Sequence, residues 1–180
     1  MRAYDVTEAD DPWAGAVLLH PHPDMGGDRF NNVVSALFDA LPDAGVSALR
    51  FDFSSSNLDM AATETIAALD RMTTAPTFLV GYSFGGGIAA TIDDARVAGW
   101  FLVAPALSMV DPTIGGDPRP KAIAAAEHDH FFSPTRLELA STDWEATEHS
   151  TVSGADHMFV GRTDEVTKQC LDWLVRTVER

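Results

Sequence analysis

Gly81-Tyr82-Ser83-Phe84-Gly85 sets one serine between two glycines, directly after the apolar run Thr77-Phe78-Leu79-Val80 and before Gly86-Gly87-Ile88-Ala89-Ala90. A Gly-x-Ser-x-Gly pattern between a strand and a helix reads as a nucleophile elbow, a turn so tight that its serine needs a strained backbone. Glycines on either side lack Cβ and let strand and helix approach closely. The letters alone are a weak signal, because an ordinary glycine turn with a solvated serine spells the same thing. The position between two elements gives the pattern its weight.

A serine hydroxyl is inert at neutral pH unless a base takes its proton, and that base is normally a histidine oriented by a carboxylate. After such an elbow the chain order is serine, acid, histidine. The sequence holds six histidines. His20 and His22 precede Ser83, which is the wrong order for the base. His149 falls within an alternating strand-like segment and reads as a surface group. His128 and His130 flank the best acid candidate and cannot easily fold back onto it. His157 remains, in the glycine-containing loop Ser153-Gly154-Ala155-Asp156-His157-Met158-Phe159. Asp129 is the expected acid, since it follows the apolar run 121–126 and precedes Ser133-Pro134, a helix N-cap and N1 pair. Asp111, in the loop after the preceding strand, is the competing candidate.

An acyl-transfer transition state also needs two N–H donors for its oxyanion. The amide of Phe84, next after the nucleophile, supplies one. The second belongs to the loop after an early strand, His20-Pro21-His22-Pro23-Asp24-Met25-Gly26-Gly27. Pro21 and Pro23 have no N–H, so His22, Asp24 or a later residue must donate, and His22 is favoured. The same loop is similar to the metal-binding loop of metallo-β-lactamase-like hydrolases, with His128 and His130 as further ligands. Against that, Met25 stands where another histidine ligand is expected, and the prolines restrict the approach of two histidines to one ion. No metal and no cofactor are expected.

These groups need a scaffold that brings them to one edge. Short apolar runs alternate with amphipathic segments, the pattern of an α/β domain with a largely parallel sheet of about six to seven strands. Strands are predicted at 15–20, 47–53, 77–81, 99–104, 121–126 and 146–152, and helices at 31–43, 58–73, 84–94, 133–140 and 164–178. Val33, Val34, Leu37, Phe38 and Leu41 share one helical face, and Gly45 follows as a helix-ending glycine. Val166, Cys170, Trp173, Leu174 and Val178 form a similar stripe, which makes Cys170 a packing residue. Residues 104–120, rich in proline and glycine, read as a long loop after a strand. In an open parallel sheet such a loop lies near the ligand site, so it is either a pocket wall or a passive connection.

Composition sets the outer bounds. With 180 residues, one domain over 1–180 is expected. A formal net charge of −15 disfavours nucleic-acid and anionic-membrane partners, which select basic patches. There is no apolar run long enough to span a bilayer and no apolar signal core at the N-terminus, and the single cysteine suits a reducing compartment. The expectation is a cytoplasmic protein acting on a small molecule.

Taken together, the elbow, the acid, the histidine and the His-Pro loop resemble the α/β-hydrolase superfamily, and within it the small capless dienelactone-hydrolase-like esterases. Asn32-Val33-Val34, Arg50-Phe51-Asp52-Phe53, Gly81 through Gly85, and Ala155-Asp156-His157-Met158-Phe159 match motifs of that family in order. The resemblance spans roughly residues 14–178 and implies a single α/β-hydrolase fold without a cap domain. It also implies Ser83, Asp129 and His157 as a catalytic triad, and a carboxylesterase acting on short or accessible esters. Thioesterase, amidase or peptidase activity on the same triad, and a non-catalytic binding module of the same fold, are the alternatives. Ser54-Ser55-Ser56-Asn57 departs from the family, which usually carries a glycine-rich loop there. Phe131, Phe132, Met158 and Phe159 are candidates for an apolar acyl pocket, with core packing as the competing account.

Overall fold

The computed structural model describes residues 3–179. Its strands are β1 (Tyr4–Thr7), β2 (Ala14–Leu19), β3 (Val46–Phe51), β4 (Thr77–Tyr82), β5 (Val97–Val103), β6 (Lys121–Ala126) and β7 (Thr147–Val152). The helices are α1 (Asn32–Ala40), α2 (Leu58–Leu69), α3 (Phe84–Ala89), α4 (Pro134–Ala140) and α5 (Thr163–Val178). One sheet runs in the order β1-β3-β2-β4-β5-β6-β7. Every neighbouring pair is parallel except β1, which lies antiparallel to β3 at the edge. No cap domain occurs among the described residues.

Parallel strands joined by helices are covered on both faces, so their side chains are apolar on both sides. β2, β4 and β6 are buried at every position. Alternate residues feed two separate cores. Ala16 and Leu18 of β2 and Phe78 and Val80 of β4 pack with α1 and α5. Val17, Leu19 and Leu79 pack with α2, α3 and α4 on the other face. Trp173 anchors the first core, 2% exposed, with its ring 5.6 Å from Phe78 and 5.8 Å from Phe101. Cys170 is fully buried beside it, and burial pushes its thiol pKa up, as suits a packing residue.

The element boundaries differ from the sequence reading where local chemistry overrides periodicity. β1 went unread because its burial alternates exposed and half-buried, and its pairing is set by β3. Asp5 of β1 is held by the guanidinium groups of Arg29 and Arg50, each at 3.0 Å. α1 begins after Asn31, whose side chain accepts from Val33 N, and gives way at Leu41 to a 3₁₀ turn over Pro42–Ala44. Gly45 then ends that turn at φ 81°, and Val46 N returns to Leu41 O. α2 stops at Leu69 and α3 at Ala89, each shorter than the apolar pattern suggests. Pro134 occupies the first position of α4 as predicted, but Ser133 makes no side-chain cap.

One polar contact inside the core ties two strand ends together. His20, just past β2, is 1% exposed. Its Nε2 accepts from Phe53 N at 2.9 Å, so the ring proton sits on Nδ1 and is donated to Pro21 O at 2.6 Å. Burial holds this imidazole below its ordinary pKa. The unfolded chain therefore binds a proton on His20 just below pH 6.5 while the folded chain does not. Stability from this group is full above that pH and declines as pH falls through it, by up to about 1.4 kcal/mol per pH unit. Urea midpoints measured from pH 7 to 5 should fall, and His20→Gln should flatten that slope. Trp173→Ala should cost roughly 3–5 kcal/mol in the same titration through the cavity it leaves.

Candidate active site

The site begins with a strained residue. Ser83, between β4 and α3, has φ 53° and ψ −112°, a conformation L-residues rarely adopt. Such a backbone costs on the order of 1–3 kcal/mol and persists only where its surroundings impose it. Here the surroundings satisfy every backbone group of the residue. Ser83 N donates to Val103 O at 2.9 Å, and Ser83 O accepts from Gly87 N and Ala106 N, each at 2.9 Å. The flanking glycines are a steric necessity. A Cβ on Gly81 would lie 2.4 Å from Gly85 O, and one on Gly85 would lie 2.4 Å from Leu19 O.

Two loops from the far half of the sheet converge on this serine. The loop after β6 carries Asp129, whose side chain is wholly buried, and the loop after β7 carries His157. Ser83 Oγ lies 3.1 Å from His157 Nε2, and His157 Nδ1 lies 2.7 Å from Asp129 Oδ2. A carboxylate only accepts, so the imidazole proton sits on Nδ1 and Nε2 is left to accept from the serine hydroxyl. Asp129 Oδ1 takes the amides of Phe131 and Phe132, both at 2.8 Å. Burial pushes the Asp129 pKa up, but the hydrogen bond from His157 and the Phe132 and Phe131 amides outweigh it and hold the carboxyl below its ordinary value. The aspartate therefore stays ionised against the imidazole. Phe131 and Phe132 pack over His157, with ring centroids 5.2 and 5.6 Å away.

On the other side, the loop after β2 lies against the elbow. Gly85 N donates to His20 O at 3.1 Å, and the His22 ring meets Phe84 edge-on at 5.0 Å. Arg29 N donates to Asp52 Oδ1 at 2.9 Å, and its guanidinium pairs with the same carboxylate, pinning the loop to the end of β3. The amides of His22 and Phe84 donate to no other group among the described residues. Two unspent N–H donors therefore sit on the two segments that meet beside Ser83.

The remaining candidates fall elsewhere. Asp111 is exposed and outside this hydrogen-bonded run. His128 is exposed with Glu127 Oε2 3.9 Å away, and His149 bonds Ser141 Oγ at 2.7 Å. Both ring nitrogens of His20 are taken by backbone groups. The loop 104–120 packs down onto the elbow: Pro105 abuts Gly86, Ala106 N binds Ser83 O, and Ile114 is fully buried. Of the proposed pocket aromatics, Phe159 is fully buried in the core and Phe132 packs against the other core. Phe131 and Met158 are left exposed beside His157. The family-divergent segment Ser54–Asn57 is tied down by side chains: Ser54 N to Glu64 Oε2 at 2.9 Å, and Ser56 Oγ to Asp24 Oδ2.

Two contacts went unread in the sequence. Tyr82 Oη donates to His157 O at 2.6 Å, and Asn32 Nδ2 donates to Met158 O at 2.9 Å. Both join residues far apart in the chain, and spacing gives no sign of them.

The chain matches the model of the alpha/beta hydrolase family over residues 16–179. It is 26% identical to an uncharacterized protein, RP471, of Rickettsia prowazekii (strain Madrid E), over 89% of this chain and 78% of that one. Among solved structures it is similar to a protein of unknown function, ATU1826, from Agrobacterium tumefaciens. That pair has a TM-score of 0.79 and 26% identity over 98% of this chain and 91% of that one. An alpha-beta serine hydrolase homologue from Coxiella burnetii superimposes with a TM-score of 0.80 at 23% identity, over 95% of this chain and 90% of that one. The topology, the strained serine and the family match agree, and the chain belongs to the alpha/beta hydrolase family and is a hydrolase.

Proposed function

We propose that the protein is a serine hydrolase, and specifically a carboxylesterase of short or accessible esters, with residues 1–180 acting as one α/β-hydrolase domain. The observation that carries this reading is the unbroken run Ser83 Oγ–His157 Nε2–Nδ1–Asp129 Oδ2 at 3.1 and 2.7 Å, built on a serine with positive φ. Ser83 attacks the ester carbonyl while His157 takes its proton. Asp129 keeps the imidazole in the required tautomer and stabilises the imidazolium. The amides of Phe84 and His22 hold the oxyanion of the tetrahedral intermediate. His157 then returns the proton to the departing alcohol, and a water activated by the same base releases the acid from Ser83.

A groove of about 550 Å³ lies between α1 and α5, lined by residues including Asp39, Thr167 and Lys168. It holds no activated nucleophile. The chemistry therefore favours the open site at the carboxyl edge of the sheet, where ligands of parallel sheets bind. No cap covers that edge among the described residues; Phe131 and Met158 are exposed there, and Ser54–Ser56 is half-buried.

A fluorophosphonate probe should label the folded protein at Ser83, as located by mass spectrometry. With p-nitrophenyl acetate, Ser83→Ala and His157→Ala should each lower kcat by at least about a thousandfold. Asp129→Asn should act comparably by stabilising the wrong tautomer. An unlabelled wild-type protein would sink the serine mechanism. Faster turnover of matched thioesters or anilides than of esters would overturn the esterase assignment.

A further inference from the structure

We propose that Tyr82 and Asn32 form a two-point clamp on the histidine loop, holding the backbone carbonyls of His157 and Met158 so that the His157 ring stays in register with Ser83. This rests on the serine-hydrolase reading above. Tyr82 is the last residue of β4 and immediately precedes Ser83. Successive strand residues point to opposite faces, so Tyr82 faces the α1–α5 core while the next residue turns out at the sheet edge. From that core, 2% exposed, its hydroxyl donates to His157 O at 2.6 Å. Its ring lies 5.6 Å from the His157 ring and 5.8 Å from Phe159. Nucleophile and anchor are thus consecutive residues on one rigid strand end, and both reach the same histidine.

The second point comes from a different element. Asn32, in the first turn of α1, donates Nδ2 to the very next carbonyl, Met158 O, at 2.9 Å. The segment being held has much to hold. Between β7 and α5 the backbone passes through positive φ at Gly154, Phe159 and Gly161. Apart from the side chains of Asp129 and Ser83, the contacts of His157 among the described residues are ring packing and the hydroxyl of Tyr82. Burial and the nearby carboxylates of Asp129 and Asp156 push the Tyr82 pKa up, so the phenol is a donor at neutral pH. A buried tyrosine hydroxyl needs some acceptor, and core packing alone would explain that. It does not explain why two separate elements, β4 and α1, seize adjacent carbonyls of the loop that carries the base.

Tyr82→Phe removes one oxygen and keeps the ring. The test measures kcat and KM for p-nitrophenyl acetate, normalised to sites titrated with a fluorophosphonate, so that misfolded protein drops out of the rate. A loosened histidine should lower kcat per titrated site roughly ten- to a hundredfold, with KM within about twofold, because alignment and not binding is lost. Asn32→Ala should produce a smaller fall of the same kind, since water can replace its exposed bond. The double variant should lose more than the product of the two single losses, because either anchor alone restrains the loop. A purely structural role predicts fewer titrated sites with unchanged kcat per site, and that result overturns the clamp. If Tyr82→Phe does not fold, Asn32→Ala carries the test by itself, and an unchanged kcat per site there also overturns it. Labelling of wild-type Ser83 is read separately, so failure of the serine mechanism is distinguishable from failure of the clamp.

Discussion

Everything at this site depends on keeping Ser83 in a backbone conformation that it would not hold alone. The left-handed turn at φ 53° projects the hydroxyl off the end of the sheet, and three backbone hydrogen bonds to Val103, Gly87 and Ala106 offset its strain. Those partners come from β5, from α3 and from the loop beyond β5. The elbow is therefore stable only when the central strands are already paired. The same tightness brings α3 so close to β2 and β4 that Gly81 and Gly85 leave no room for a methyl group. One local constraint thus dictates the glycines, the packing of α3, and the approach of the loop that carries His22.

Asp129 and His157 are delivered differently. Asp129 is buried, with both carboxylate oxygens occupied, so its position follows from local backbone geometry after β6. Desolvation alone would favour the neutral acid, and the donors arrayed around it reverse that preference. His157 arrives on a longer loop with several positive φ values, and its ring packs against Phe131, Phe132 and Tyr82. The longer connection that carries His157 leaves more of its alignment to contacts with other elements than the shorter one that carries Asp129. The polar segment Ser54–Asn57 is held by side chains, Ser54 N on Glu64 and Ser56 Oγ on Asp24.

Much of this was legible in the chain itself. The buried strands β2, β4 and β6 are continuous apolar runs, because helices cover both faces, and such runs stand out from the polar connections around them. The Gly81–Gly85 elbow was legible because its glycines answer to sterics within a few residues. β1 was not legible, since Tyr4–Thr7 has neither an apolar run nor an inward face, and exists because β3 offers an open edge. The ends of α2 and α3 were overextended for a related reason: their apolar residues continue past the point where the backbone turns away. Of the four aromatic and methionine candidates for a pocket, only the fold could separate buried Phe159 from exposed Phe131 and Met158.

Local sequence determined the class of fold, the Gly81–Gly85 elbow, and the order of Ser83, Asp129 and His157 along the chain. These follow from periodicity, from the sterics of glycine and from side-chain chemistry, all of which act over a few residues. Tertiary structure alone decided that Asp129 Oδ2 and not Asp111 faces His157, and that the His22 ring packs edge-on against Phe84 beside Ser83. It also decided that Tyr82 and Asn32 close on adjacent carbonyls of the histidine loop. Those contacts join residues as far as 126 positions apart. Their distances are set by how strands register and helices pack, and no short stretch of sequence encodes that.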